Sequence, residues 1–230
     1  MYTALLNSNA DICVGNIKLM SKDMSYPIPY QEPLASLHID GYKLVSPLSC
    51  PQLWFPWYHQ RFMFRKKFLL ENSISYPNFL RGQDPPMLAK ALCLAKSAVI
   101  IPDTVYKYRI SSFKKFSHRQ YMDYISHINQ TISIYDSFGY PMQANLYAKM
   151  ILYFADSFAT FKQFQKNDRK SIINLYINLI KNRNTAENFL PYHFPEGVES
   201  RIHSMKYGIV FYGIYKLVTK YYKKIKNYVL

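Results

Sequence analysis

The chain has 230 residues, of which 49% are hydrophobic and 17% aromatic, and its formal net charge is +15. This composition excludes a disordered chain, because it can bury the core of one domain, or of one domain with an appendage. The charge excess favours an anionic partner: nucleic acid, a phosphorylated small molecule or an anionic membrane surface.

The cysteines and the apolar stretches limit where the protein works. Cys13, Cys50 and Cys93 have neither a disulfide-framework nor a zinc-ligand spacing, so we expect buried thiols in a reducing compartment. The first residues lack the basic start of a signal peptide, and the apolar stretch at 207–215 is too short to span a bilayer. We therefore expect a soluble cytoplasmic protein, or one held peripherally at the inner face of the membrane.

The front half of the chain mixes strand and helix patterns. Residues 11–20, rich in apolar and β-branched side chains, predict a strand after a short helical start. The proline-rich residues 21–56 predict an irregular excursion of the kind that is often functional. The elements predicted after it are a strand and a short helix within 57–72, a helix over 85–97, and strands over 98–102 and 104–110 divided by Pro102-Asp103.

The back half reads as helical. An apolar stripe of helical spacing runs through 118–138, and Gly139 and Pro141 end it; its members are Tyr121, Tyr124, Ile125, Ile128, Ile132 and Tyr135. Further helices are predicted over 142–164, over 168–182 and from 198 to the end, with a loop at 189–197. The fold class is therefore α+β, with an α+β region at 1–117 and an all-helical region at 118–230.

Asp84 in "RGQDPPMLAKAL" is the acid with the most informative setting. Asp before proline is a strong helix N-cap signal, and Pro85 at the first helical position loses no hydrogen bond. Because Pro86 also lacks an N–H, the expected backbone donor to a capping Asp84 is Met87. A capping carboxylate still has a second oxygen that could take a proton from a substrate hydroxyl. Sequence physics favours the cap and leaves the base open.

An ordered set of short patterns around Asp84 resembles the second half of a family 2 glycosyltransferase of the GT-A type. The set comprises Trp57, Arg65, Phe68-Leu69, Glu71-Asn72, Ile74, Tyr76-Pro77, Gln83-Asp84, the strand at 99–101 and the Tyr-x-Tyr-Arg strand at 106–109. Residues 8–20 also resemble the strand that follows the metal-binding motif of that family. The resemblance covers roughly residues 1–135, and it implies an incomplete GT-A-like half ahead of the helical region.

The resemblance implies that Asp84 is the general base for an acceptor hydroxyl that attacks the sugar of a nucleotide-diphosphate donor. Gln83 stands where the family more often has Glu, and as a substrate-binding candidate it can hydrogen-bond a sugar but adds no charge. The Asp-x-Asp motif that holds Mg²⁺ or Mn²⁺ in the family is absent from this sequence. We therefore expect no metal site in this chain, a divalent cation only in a complete enzyme, and no turnover by this chain alone. The nucleotide-binding half would lie upstream or on a partner chain.

Other candidate substrate-binding residues have an ordinary structural alternative. Trp57 could stack on a sugar, although a lone Trp after proline is as often a core anchor. Arg81 and Arg109 could face phosphate, although solvated or ion-paired arginines are commoner. His118 lies where some relatives place a His that contacts metal or diphosphate, but it also suits a helix start. The remaining histidines have no metal-ligand spacing.

Residues 204–230 contain six lysines and no acidic side chain, with an apolar stripe beside a lysine face. This pattern fits a helix on an anionic membrane surface, or an ordinary amphipathic helix packed on the domain.

The function that the resemblance implies is a glycosyltransferase that acts on a glycan or lipid-linked acceptor in polysaccharide synthesis. The rival is a non-catalytic basic module that binds an anionic membrane or a partner protein. Nucleic acid ranks low, because no nucleic-acid-binding motif is present.

Overall fold

The computed structural model describes residues 1–28, 32–54, 58–110 and 117–155. Of 118, 121 and 149–155 it describes the backbone only. The described residues form an α+β fold of five strands and five α-helices, which confirms the predicted class. In chain order they are α1 (Tyr2–Ser8), β1 (Ile12–Met20), β2 (Pro27–Ile28), β3 (Lys43–Val45), β4 (Phe62–Phe64), α2 (Lys66–Glu71), α3 (Asp84–Leu94), β5 (Ala98–Arg109), α4 (His118–Ser137) and α5 (Pro141–Ala155).

The five strands form one mixed sheet built on a parallel pair. β1 runs parallel to β5 along nearly its whole length. The other edge of β1 is shared, because its start pairs antiparallel with β4 and its end with β2. β3 pairs antiparallel with the start of β5. The sequence predicted β1, β4 and β5 but not β2 and β3, because these are two- and three-residue strands inside a proline-rich segment.

The two faces of the parallel pair are covered by different helices. Side chains alternate along a strand, so Ile12 and Val14 of β1 face one way and Cys13 the other. The first face packs with α3, whose buried residues include Leu88 and Leu92. The second packs with Leu5 of α1. Since both faces are buried, the strands are apolar throughout their first halves, which is typical of parallel strands.

Residues 98–109 form a single strand, so the predicted division at Pro102-Asp103 is wrong. The irregularity lies in β5 itself, where the stretch from Ile100 to Tyr106 faces only the stretch from Val14 to Ile17 of β1, so the register shifts on both sides of Asn16. The Asn16 side chain donates a hydrogen bond to the carbonyl of Pro102 at 2.7 Å. A Cβ on Gly15 would lie 2.5 Å from Val105, so only glycine permits this approach. A β-bulge thus absorbs the proline without ending the strand.

The helical stripe predicted for 118–138 is confirmed. α4 begins with a capping box between Ser117 and Gln120, and Gly139 follows its end at φ +77°. α4 packs against α3. Its buried stripe includes Tyr124, Ile125, Ile128, Ile132 and Tyr135.

The chain divides into two compact units, the first of which contains residues 1–144. Of the second unit, only residues 145–155 are described, and they are the end of α5. The helix predicted over 142–164 is observed as far as Ala155. The helix at 168–182, the loop at 189–197 and the basic segment 204–230 lie outside the described residues. The boundary expected at residue 117 stays a prediction.

Candidate functional site

Asp84 is the first residue of α3, and Gln83 occupies the N-cap position without a side-chain capping bond. The prediction that Asp84 caps the helix through Met87 is therefore wrong by one position. The physical reason is the Pro-Pro pair: with Pro85 and Pro86 in the first turn, few backbone N–H groups need a cap. The Asp84 carboxylate is used elsewhere.

The partner of the Asp84 carboxylate is a histidine from a different part of the chain. Nδ1 of His59 lies 2.6 Å from Oδ2 of Asp84, which is an ion-pair distance, although the contact does not have the geometry of a hydrogen bond. The Asp84 side chain is 37% exposed and the His59 side chain 23%. A ligand from solvent can therefore reach the carboxylate, and the imidazole beside it is less accessible.

His59 belongs to a short 3-10 turn that is fixed by the contacts of a buried arginine. The turn covers His59–Arg61 and starts after Tyr58, which adopts a left-handed conformation at φ 60°. Such a conformation is costly for a bulky residue and persists where the surroundings enforce it. Arg61 is fully buried, and its guanidinium binds Glu32 at 2.7 Å and the carbonyl of Gln52 at 3.3 Å. Glu32 also accepts from the N–H of Ile17 on β1.

Tyrosine rings surround this turn. Tyr76 meets the His59 imidazole edge-on, with ring centres 5.8 Å apart. Burial and then the nearby Asp84 charge raise the pKa of Tyr76, so Tyr76 lies beside both members of the pair and keeps its proton at neutral pH. On the other side, Tyr58 meets Tyr108 of β5 edge-on at 4.9 Å. Burial is also the main reason that the pKa of Tyr58 is raised.

Residues 80–83, the loop that leads into Asp84, are fixed to α4. The N–H of Leu80 donates to Asp123 at 2.8 Å, and the Arg81 guanidinium stacks over the Tyr124 ring at 4.8 Å. Gly82 has φ +83°, and a Cβ there would lie 2.4 Å from Nδ1 of His127. The loop backbone therefore contacts the His127 imidazole directly. Its packing on α4 fixes the position of Asp84.

Burial controls the protonation of the two aromatic residues under this loop. It raises the pKa of Tyr124 to about 12, with a smaller opposing effect of the Arg81 charge. It lowers the pKa of His127 to about 3, and the Arg81 charge adds to that effect. His127 is consequently neutral at pH 7 and supports the loop as an uncharged ring.

The remaining predicted site residues are only partly gathered around Asp84. Gln83 is adjacent in sequence, and its amide donates to the carbonyl of Phe79 at 2.5 Å. Arg109 is exposed at the end of β5, next to the Tyr108 that contacts Tyr58. His118 is the first residue of α4, and its side chain is outside the description. Trp57 lies outside the described residues. The binding roles of all these residues stay predictions.

Within the described ranges, no group of three or more His, Cys, Asp or Glu residues could hold a metal ion. The described residues therefore do not supply a donor set for a divalent cation. The three thiols are free and buried, as expected, and burial raises the pKa of Cys13 and Cys50, and that of Cys93 to about 12. They are therefore poor nucleophiles.

No described helix has the length and apolarity needed to cross a membrane.

Sequence reasoning missed His59 as a member of the site. It considered this histidine only for metal spacing, although it stands two residues after Trp57 in the resembling pattern. It also missed the Glu32–Arg61 pair, whose members are 29 residues apart with no local signal.

No family model matches this chain, and no curated protein matches its sequence. Among solved structures, it is similar to residues 1–349 of TarS from S. aureus in complex with UDP-GlcNAc. That match has a TM-score of 0.59 and 13% identity, and it covers 92% of this chain and 60% of the other. A second TarS structure matches with a TM-score of 0.57 at 13% identity, covering 92% and 58%. The chain thus spans about 60% of the length of these neighbours, and its fold is glycosyltransferase-like.

Proposed function

We propose that this chain carries the acceptor side of a glycosyltransferase that moves a sugar from a nucleotide-diphosphate donor to the hydroxyl of a glycan or lipid-linked acceptor. The observation that carries the proposal is the partly exposed carboxylate of Asp84, which opens α3 beside His59 in a glycosyltransferase-like fold. The complex of TarS with UDP-GlcNAc supports the donor class. Assignment to family 2 and to the GT-A type is part of this proposal.

Asp84 is the general base in this proposal. It accepts the proton of the acceptor hydroxyl as that oxygen forms a bond to the anomeric carbon of the donor sugar. The bond from the anomeric carbon to the diphosphate breaks at the same time, and the nucleoside diphosphate leaves with the electron pair. A carboxylate on a packed helix start suits this role, because the base must be in place when the nucleophile arrives.

The fixed surroundings of Asp84 support the same role. The loop before it is anchored to α4 through Asp123 and His127, and α3 behind it is packed on the sheet. Little reorganisation is then needed when an acceptor binds, which is the main structural contribution to positioning a base.

The experiment is a transfer assay with the full chain, labelled UDP-GlcNAc and then other labelled nucleotide-diphosphate sugars. Membranes from source cells that lack the gene supply the acceptor and any partner chain. We expect Asp84→Asn to lower transfer by roughly 10²- to 10⁴-fold, the usual contribution of a general base. Asp40→Asn removes another exposed carboxylate and should retain wild-type transfer.

Two results would contradict the proposal. Transfer that survives in a folded Asp84→Asn protein, checked by circular dichroism, would show that Asp84 is not the base. A wild-type chain that transfers sugar from none of the donors, in an assay that also contains the acceptor and the nucleotide-binding half, would overturn the glycosyltransferase function itself.

A further inference from the structure

His59 has a place in the site that no pattern in the sequence assigns to it. We propose that His59 is a positioning residue for the base: its Nδ1 holds Oδ2 of Asp84, which leaves Oδ1 for the acceptor hydroxyl. This inference rests on the proposed function and adds to it the residue that fixes the direction of the carboxylate.

Backbone hydrogen-bond donors are scarce near the Asp84 carboxylate. An acid in the first turn of a helix is ordinarily held by backbone N–H groups of that turn. Pro85 and Pro86 have none, and among the described residues no backbone N–H donates to the Asp84 carboxylate. The partner that the structure places against the carboxylate is instead a side chain, with Nδ1 of His59 at 2.6 Å from Oδ2.

Among the described residues, no polar atom other than Oδ2 of Asp84 is found against Nδ1 of His59. This atom is shielded from solvent, and Oδ2 of Asp84 is the polar atom it approaches. Two acceptors at 2.6 Å would repel each other, so Nδ1 carries the hydrogen in this contact. The contact does not have hydrogen-bond geometry in the free protein, and it can align when an acceptor binds, as catalytic hydrogen bonds often do.

The His59 side chain and its turn are themselves held in place by neighbouring residues. Its ring packs edge-on against Tyr76, and its turn is fixed by the buried Arg61–Glu32 pair and by the left-handed Tyr58. A flexible histidine could not orient a carboxylate, whereas one fixed on two sides can. The strained backbone of Tyr58 is then retained because it positions His59.

The pairing can be tested without any activity, by two-bond proton–nitrogen NMR correlation of the histidine rings in the full chain. We expect the His59 spectrum to show hydrogen on Nδ1 and its Nδ1 resonance to move in Asp84→Ala. The control Asp40→Ala should leave it in place. An Nδ1 resonance that is indifferent to Asp84→Ala would overturn the pairing.

The positioning role is tested in the transfer assay with His59→Phe and His59→Asn. We expect His59→Phe to lower kcat by roughly 10- to 100-fold with little change in KM for the donor, because a displaced base is still present but badly aimed. The Asn amide nitrogen can stand near the site of Nδ1, so His59→Asn should recover kcat to within about threefold of wild type. His38→Asn, at an exposed histidine, is the matched control.

The double variant decides whether His59 acts through Asp84. Against an Asp84→Asn background, His59→Phe should have almost no further effect, since residues that act as a unit are not additive. Additive losses, or a His59→Phe enzyme within twofold of wild type, would overturn the positioning role. A wild-type chain without transfer, in an assay that also contains the acceptor and the nucleotide-binding half, would overturn it together with the proposed function. The NMR result separately decides whether the pair exists.

Discussion

His127 lies on α4 directly under residues 80–83, with no exposed side-chain surface. Its burial lowers its pKa to about 3, whereas in an unfolded chain a histidine titrates near 6.5. Between these values the unfolded state binds a proton that the folded state does not. The free energy of unfolding therefore falls as the pH falls through this range.

We expect this residue to make the protein sensitive to mild acid. Lowering the pH from 7 to 5 should reduce the free energy of unfolding by about 2 kcal/mol through His127 alone. Urea titrations at both pH values measure the change. The loss should be smaller by that amount in His127→Gln and unaltered in His38→Asn. An equal loss in His127→Gln would contradict the role of His127.

At the scale of elements, residues 80–83 connect α4 to the start of α3. Gly82 combines a left-handed backbone with direct contact to the His127 ring. A side chain at this position meets two separate costs, one from the backbone conformation and one from overlap with a buried ring that has nowhere to move. Glycine is required here by the packing of a loop on a helix.

Gly82→Ala should therefore destabilise the protein by about 2 to 4 kcal/mol and displace Asp84 from His59. Gly41→Ala is a matched control, because Gly41 has φ +74° with open space where the Cβ would stand. It should cost only about 1 to 2 kcal/mol. Denaturant midpoints give both values, and equal costs at the two glycines would contradict the packing argument.

At the scale of the whole molecule, the net charge of +15 is concentrated partly in residues 204–230, which carry six lysines and no acid. Coulomb attraction and an apolar stripe would together hold such a segment on an anionic bilayer. A lipid-linked acceptor would make that location useful to the proposed enzyme.

Deleting 204–230 should release the protein from anionic liposomes at about 0.1 M salt, as measured by flotation, with neutral liposomes as the reference. A variant with Lys216, Lys220, Lys223 and Lys224 changed to Gln keeps the apolar stripe and should also lose most of its binding. Liposome binding that persists after the deletion would contradict the membrane role of this segment.

Local patterns were sufficient for the longer elements of the fold. α1, β1, α2, α3 and α4 all follow from apolar periodicity and from turn residues, because these signals come from neighbours within a few positions. The strands β2 and β3 did not follow, since they are two and three residues long inside a proline-rich segment and pair only with distant parts of the chain. Pro102 indicated a break, but the extra residues of β5 around it form a bulge opposite Gly15 and Asn16, and the strand continues.

The sequence by itself determined that Asp84 opens a helix, and two prolines determined that its carboxylate would find few backbone donors. Only the tertiary structure decided what the carboxylate meets. His59 is 25 positions away on its own turn, which the Arg61–Glu32 pair and the left-handed Tyr58 place beside α3. Such a contact depends on how a turn, a sheet and a helix pack together, and no local pattern encodes that geometry.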